Sequence, residues 1–357
     1  MEKKIQVDLD KPEGYRQYDP GDMLARIRSF PHLCDQAWRL AQGFHLPEDY
    51  QRIQKIVILG MGGSAIGGDL ISGLAVNESS VPITVCREYV LPRYVDKETL
   101  VIASSYSGMT EETLSAFQQA CKTPAKKLAI TTGGKLKNLC ESLDIPVFSF
   151  DYKSSPRAAL PFSFFLLLGL LQNLKVFKNK TAEAAVTIKE LNALASKINE
   201  KTPSSSNPSK ALAVRLNGRL PVIYGAGILG PVAQRWKTQI NENSKTMAFY
   251  ELFSELNHNA IVGYQLPSMI KECQVVMLDS DLLHERIRLR YEITRKLMEQ
   301  AGIPYQVVKA EGSNALSQMM GLVFVGDYVS YYLAMLNGVD PTLITSIDFL
   351  KTSLAGK

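Results

Sequence analysis

The sequence predicts an α/β fold: two doubly wound, parallel-sheet halves preceded by an N-terminal helical segment. Three observations predict it. Short β-branched apolar runs alternate with stretches of helical length, which is the pattern of parallel strands covered on both faces. Two of these runs end in G-x-G turns, Ile56-Val-Ile-Leu-Gly60-Met-Gly62 and Leu220-Pro-Val-Ile-Tyr-Gly225-Ala-Gly227. The second run restarts the pattern after a Ser/Pro segment, Thr202–Ser209, which reads as a linker or surface loop. A chain of 357 residues has room for two domains of about 100–200 residues each.

Taken in order, residues 1–50 form a polar arm and then a helical pattern over Asp22–Phe44. The first half, 51–200, opens on the strand ending at Gly60 and continues with strands at Ile83–Cys86, Leu100–Ala103, Leu128–Thr131 and Pro146–Phe150. Glu111–Cys121 is an intervening helix. Arg157–Lys178 is apolar enough for a buried helix, and Lys180–Asn199 is a second one. In the second half, 208–357, the strand at Leu220 leads into a helical stretch over Pro231–Ala248. Gln274–Leu278 and Tyr305–Val308 add strands, and Phe324–Leu336 and Pro341–Leu354 are closing helices.

Composition excludes several classes. Hydrophobic residues are 46% and charged residues 21%, as in ordinary globular proteins. Lys and Arg total 40 against 35 acidic residues, a net charge of +5 spread without a basic run. Nucleic acid is therefore not expected, and a small acidic substrate fits the surplus. Five cysteines, with no C-x-x-C pair, read as reduced thiols of a cytoplasmic protein. The polar N-terminus has no apolar core of a signal peptide. The apolar stretch Leu160–Leu171 is too short to span a bilayer, so no membrane is expected. Four scattered histidines show no ligand spacing, so no metal site is expected.

The two glycine turns match G-x-G-x-x-A and G-x-G-x-x-G, the form of a dinucleotide site. Such a site also needs an acid at the end of the next strand to hold a ribose. In the second half Glu242 falls inside a helical stretch, and in the first half Arg87 precedes Glu88. Neither fits, so no nicotinamide cofactor, and no other, is expected. Close helix–strand packing accounts for the second turn. The first turn differs, because Gly63 is followed by Ser64, a hydroxyl where a ligand would lie.

Val101-Ile-Ala-Ser-Ser105-Tyr-Ser107-Gly108-Met-Thr110-Glu-Glu-Thr113 carries the most chemistry. A strand ends in a hydroxyl-rich loop, Gly108 permits an unusual backbone angle, and Thr110 stands at a helix cap. Helix-start N–H groups and the helix dipole favour an anion there. Ser105, Ser107 and Thr110 can each donate to a phosphate oxygen. No Walker lysine is present, which disfavours a nucleoside triphosphate. Arg157, before an apolar helix, has a place that a ligand charge would explain; an ion pair with a surface carboxylate is the alternative.

This loop resembles the phosphosugar-binding loop of SIS (sugar isomerase) domains. Ile58-Leu-Gly-Met-Gly-Gly-Ser64 is similar to the turn preceding that loop in the bifunctional phosphoglucose/phosphomannose isomerases of archaea and bacteria. The likeness continues through Arg235-Trp-Lys-Thr-Gln-Ile-Asn-Glu242-Asn and Glu255-Leu-Asn-His258-Asn to Gly338-Val-Asp-Pro-Thr342 and Leu350-Lys351. It covers about residue 55 to the C-terminus. Met109 departs from the family's S-G-N-T.

The resemblance implies two SIS-like halves and an aldose–ketose isomerase without metal. The substrates it implies are glucose 6-phosphate, mannose 6-phosphate and fructose 6-phosphate, joined by a cis-enediol. It implies Glu242 as the base that moves the proton between C1 and C2. His258 is then the ring-opening acid, reaching the site from a partner subunit of a homodimer, and Lys351 is the ring-opening lysine. Glu255 is the rival carboxylate, able instead to orient the His258 loop. The alternative is a non-catalytic SIS regulator, which would keep the hydroxyl loop and need none of Glu242, His258 or Lys351.

Overall fold

The computed structural model describes residues 7–266 and 268–355. In chain order, helices α1 (Met23–Arg28) and α2 (Phe30–Gln42) precede strand β1 (Lys55–Leu59) and helix α3 (Gly62–Ala75). Strands β2 (Ile83–Cys86) and β3 (Thr99–Ser104) follow, then α4 (Glu111–Ala120), β4 (Lys126–Thr131), α5 (Gly134–Ser142) and β5 (Val147–Ser149). Three helices come next: α6 (Leu160–Asn173), α7 (Thr181–Ile198) and α8 (Pro208–Leu216). The second sheet begins with β6 (Leu220–Gly225), α9 (Gly230–Ser244) and β7 (Phe249–Leu252). It continues through β8 (Cys273–Asp279), α10 (Glu285–Ala301) and β9 (Tyr305–Lys309), before α11 (Ala315–Asn337) and α12 (Thr345–Ala355).

The chain forms two compact units. One comprises Ser29–Glu190 with Gly312–Ser317; the other comprises Met1–Arg28, Leu191–Glu311 and Gln318–Lys357. The first unit holds a five-stranded sheet of order β2-β1-β3-β4-β5, parallel throughout. Its central strand β3 is buried at every residue, as β-branched runs covered on both faces should be. Val57, Val101 and Ala129 build a core with Phe117 of α4 and Leu136 of α5. Helix α6 is buried at twelve successive positions, Leu160–Leu171, and packs Phe165 edge-on to Trp38 of α2.

The second unit holds a four-stranded parallel sheet of order β7-β6-β8-β9. Tyr224, Val275 and Met277 share a core with Phe253, Tyr291 and Met298. Helix α11 is long and apolar enough to cross a membrane, but 89% of its apolar window is buried inside the fold. It is longer than the apolar run Leu160–Leu171, and it serves as core.

The alternation of parallel strands and helices agrees with the α/β reading, with local differences. The helical pattern over Asp22–Phe44 is two helices, because Pro31 has no N–H to donate and stands in the first turn of α2. The helix expected from Arg157 starts at Leu160, after a 3-10 turn over Pro156–Ala159, with Pro161 in its first turn. Thr202–Ser209 is no free linker. Ser204 donates its N–H and hydroxyl to Asp10, and Asn207 caps α8 by accepting from Ser209 and Lys210. The stretch Pro231–Ala248 stops being helical at Ser244, where Lys245 takes a left-handed backbone, φ 56°. Phe249–Leu252 is then an edge strand that the sequence reading does not contain.

Candidate active site

In the first unit, the first glycine turn and the hydroxyl loop stand together. Gly62 has φ 49°, a left-handed angle that starts α3 directly after the β1 turn. A Cβ on Gly63 would lie 2.7 Å from the carbonyl oxygen of Pro156 and 3.3 Å from the Cα of Arg157. Only glycine lets the turn approach the segment that carries Arg157, which is buried. Ser64 Oγ accepts the Tyr106 N–H at 3.1 Å and so ties this turn to the loop after β3.

Inside that loop the hydroxyls are arranged in sequence order. Ser105 is buried; its Oγ accepts from Gly108 N at 3.1 Å and lies 2.9 Å from Thr110 Oγ1. Ser107 is exposed, and its Oγ accepts from Met109 N. Thr110 does occupy the N-cap position of α4, but its side chain makes no cap bond. It turns to Ser105 instead, so its hydroxyl leaves the α4 start to other partners. Gly108 has φ 62°, and a Cβ there would meet Gly133 O at 1.8 Å. The loop thus packs against a second glycine turn, Gly133-Gly134, which sequence reasoning passes over; the Thr-Thr-Gly-Gly run after β4 is the signal that could have found it.

At the end of β2 stands Arg87, ion-paired with Asp69 of α3. Burial pushes the Asp69 carboxyl up, and the Arg87 guanidinium opposes that shift. A cation therefore occupies the strand end where a ribose-holding acid would be needed.

In the second unit, α9 carries Glu242 near its C-terminal end. The helix is fixed by one face. Arg235 and Gln239 both donate to the buried carboxylate of Asp327 on α11, at 3.1 and 2.8 Å. Asn243 donates to Ser330 Oγ at 2.9 Å, and Trp236 Nε1 to Leu322 O at 2.7 Å. Seven residues after Arg235, Glu242 falls almost directly below it on the helix, at the edge of this buried arc. It is half-buried and lines a cavity of 460 Å³ with Asn241, Lys245, Thr246 and Met247. The other wall is Leu343–Ile347, including the first residues of α12. Lys245 donates its ammonium to Glu242 O at 2.6 Å, and Asn241 donates to Thr246 O at 2.8 Å.

His258 ends a 3-10 turn, Glu255–His258, and is exposed. Its neighbours hold the turn: Asn257 donates to Thr294 Oγ1 and Asn259 to Glu255 Oε1, at 2.9 and 2.7 Å. Glu255 is exposed and accepts from Asn259 within this loop. Lys351 lies on α12 and is exposed. Neither His258 nor Lys351 lines the Glu242 cavity. Among the described residues, no group of three or more His, Cys, Asp or Glu side chains converges as metal ligands would.

The first-unit geometry offers hydroxyl and backbone N–H groups to a small anion, and the second-unit cavity offers a half-buried carboxylate in a mainly apolar space that Asn241, Thr246, Thr345 and Ser346 also line. The family model described as the bacterial phospho-glucose isomerase C-terminal SIS domain matches residues 205–354. A bifunctional phosphoglucose/phosphomannose isomerase of Caldicellulosiruptor bescii is 41% identical over 335 residues, spanning 93% of this chain and 99% of that protein. One from Aquifex aeolicus is 33% identical, spanning 90% and 98%. A solved structure of a hypothetical protein from Thermus thermophilus superposes with a TM-score of 0.74 at 16% identity, over 98% of this chain and 93% of that one. That last likeness concerns the fold; the sequence relatives go further, and on their identity and coverage the chain belongs to the bifunctional phosphoglucose/phosphomannose isomerase family.

Proposed function

We propose that the protein interconverts glucose 6-phosphate, and mannose 6-phosphate, with fructose 6-phosphate. The observation that carries this reading is the half-buried Glu242 in its cavity, in a chain that also builds a Ser/Thr loop suited to phosphate. The 6-phosphate is held by Ser64, Ser105, Ser107 and Thr110 with the turn at Gly63. His258 protonates the ring oxygen while Lys351 assists the departure of the hydroxyl proton, which opens the ring. Glu242 then takes the proton from C2 of the aldose, and a cis-enediol forms. The same carboxyl returns the proton to C1, giving the ketose. Arg157 offers positive charge to the enediolate or the phosphate. Rotation about C2–C3 before the reverse transfer lets one base serve both C2 epimers. No metal is required by this sequence of proton transfers.

The reading includes a cytoplasmic homodimer in which His258 serves the partner's site. What supports it is exposed apolar surface in the second unit: Phe249 is 46% exposed, Val262 77%, Leu266 79% and Phe349 76%. Val262 and Leu266 follow His258 by four and eight residues, and exposed apolar side chains of this kind suit a subunit interface better than solvent. The reading also takes residues 1–50 as an arm and helix, 51–200 as the first SIS half and 208–357 as the second.

The test is an isomerase assay on glucose 6-phosphate and mannose 6-phosphate with and without a chelator. Activity on both, unchanged by chelation, is the expected result; binding without turnover would favour the regulatory reading. Mixing inactive Glu242→Gln and His258→Ala chains should restore about a quarter of wild-type activity, since half of randomly paired dimers are mixed and hold one whole site. No restoration after verified subunit exchange would put His258 in its own chain's site.

A further inference from the structure

The Ser/Thr loop contains one residue, Tyr106, whose backbone and side chain together join three separate segments. The Tyr106 N–H is held by Ser64 of the glycine turn. Its carbonyl accepts from Thr132 twice, from N at 3.1 Å and Oγ1 at 2.7 Å, after β4. Its hydroxyl donates to Tyr152 O at 2.5 Å and accepts from Ser154 N at 2.8 Å. The ring leans on Phe150, which stacks on Phe162 of α6 at 4.8 Å.

The segment gripped by this phenol runs directly into Ser155-Pro156-Arg157. Its two serine hydroxyls do not fix it: Ser154 Oγ and Ser155 Oγ are buried with no hydrogen-bond partner among the described residues. Glycine at 63 already brings the α3 start against Pro156 and Arg157. The Tyr106 hydroxyl thus ties the hydroxyl loop, through two bonds, to the strap that leads to the arginine.

We propose that Tyr106 is a positioning residue for Arg157, holding the guanidinium at its working distance from the substrate gripped by the loop. This rests on the isomerase reading above. A phenol that bridges a donor and an acceptor three residues before a buried cation fixes it in a way that a phenyl ring of the same shape cannot. Misplacing a charged group by a fraction of its reach is costly to a reaction that depends on it.

The experiment is a double-mutant cycle on the full-length protein, read as kcat and KM for fructose 6-phosphate, with thermal melts alongside. Tyr106→Phe keeps the ring and should lower kcat/KM by between about tenfold and a hundredfold. The loss should fall on the same parameter, kcat or KM, as the loss in Arg157→Lys. In an Arg157→Ala background Tyr106→Phe should cost almost nothing further in kcat/KM, while it lowers the melting temperature by the same amount in both backgrounds. If Arg157→Ala does not fold, Arg157→Lys serves as the background, and the two losses should be clearly less than additive. Additive losses, or a Tyr106→Phe enzyme with wild-type kinetics, overturn the proposal while leaving the isomerase reading intact. A fully active Arg157→Lys and Arg157→Ala pair overturns it too, and removes Arg157 from the site. No isomerase activity in the wild type would sink the underlying reading.

Discussion

The two glycine turns follow the same design and end in opposite chemistry. Each leaves the carboxyl end of a parallel strand through a left-handed glycine, Gly62 at φ 49° and Gly227 at φ 52°. Beyond Gly62 comes Ser64, whose hydroxyl receives the Tyr106 N–H, and the neighbouring Gly63 makes way for the Arg157 segment. Beyond Gly227 come Ile228 and Leu229, both buried, and a Cβ on Gly225 would meet Leu229 O at 2.4 Å. The first turn has polar groups to offer a ligand. The second is closed by apolar packing, and the proposed base of its half, Glu242, lies toward the far end of the helix that this turn opens. A G-x-G motif after a strand therefore reports a close approach of backbones, and the residues that follow decide whether polar or apolar groups line it.

The sharpest break of this comparison is at Glu242. Glu242→Gln keeps shape and removes the proposed base, so kcat should fall by at least about a hundredfold while sugar-phosphate binding persists. Exchange of the C2 proton with solvent should vanish with it. An active Glu242→Gln beside a dead Glu255→Gln would move the chemistry to the other carboxylate.

Next in size is the Ser107→Ala, Thr110→Ala double change. Each lost bond to a charged phosphate is worth about 1.5–3 kcal/mol. KM should rise alike for every 6-phosphate substrate, because the phosphate anchor does not read C2. An unaltered KM would remove this loop from phosphate binding.

The two turns can then be set against each other. Gly62→Ala and Gly227→Ala each force a side chain into the left-handed region, at a cost of about 1–2 kcal/mol. A Cβ on Gly62 meets nothing within 4 Å, and one on Gly227 touches only Leu283 Cδ2, at 3.3 Å. Similar losses in melting temperature are expected, with KM raised by Gly62→Ala alone. Equal KM effects would mean that both turns face substrate.

The smallest effect concerns the N-terminal arm. Hydrogen bonds from Ser204, aided by Lys210, hold the Asp10 carboxyl below its usual value against a lesser opposing effect of burial. A carboxyl whose folded value is depressed contributes stability above its unfolded value, about 3.9, and loses that contribution as pH falls through the folded one. Asp10→Asn should therefore melt slightly lower at neutral pH and lose less stability on acidification than the wild type. Identical acid slopes for the two proteins would show that the contact contributes nothing.

Much of this architecture is legible in the residues. Runs such as Lys55–Leu59 and Cys273–Asp279 are continuous and apolar because both faces of a parallel sheet are covered. Phe249–Leu252 escapes because it is an edge strand, with three of four residues exposed, and carries no such run. The Ser/Pro segment before α8 hides its order because Asp10, which holds it, is 194 residues away in sequence. The hydroxyl loop announces itself by composition. Glu242, His258 and Lys351 are, by composition, ordinary surface charges; resemblance alone singles them out. Tyr106 is plainly visible in Ser105-Tyr-Ser107, yet nothing local tells that its phenol reaches residues 46 and 48 positions away.

The two units differ in when they can form. Apart from Gly312–Ser317, the first is one unbroken stretch from Ser29 to Glu190, so it can close while later residues are still being made. The second needs both ends of the chain. Tyr15 packs edge-on against Tyr331 and Tyr332, at ring separations of 5.9 and 6.4 Å. Those partners leave the ribosome roughly 300 residues later, some tens of seconds at about 5–20 residues per second. Through that interval Tyr15 lacks these ring partners, and α11, which carries them, emerges as an apolar helix that must be buried. The order of synthesis thus makes the second unit the one exposed to chaperones and to misdirection, and it is the unit that carries Glu242.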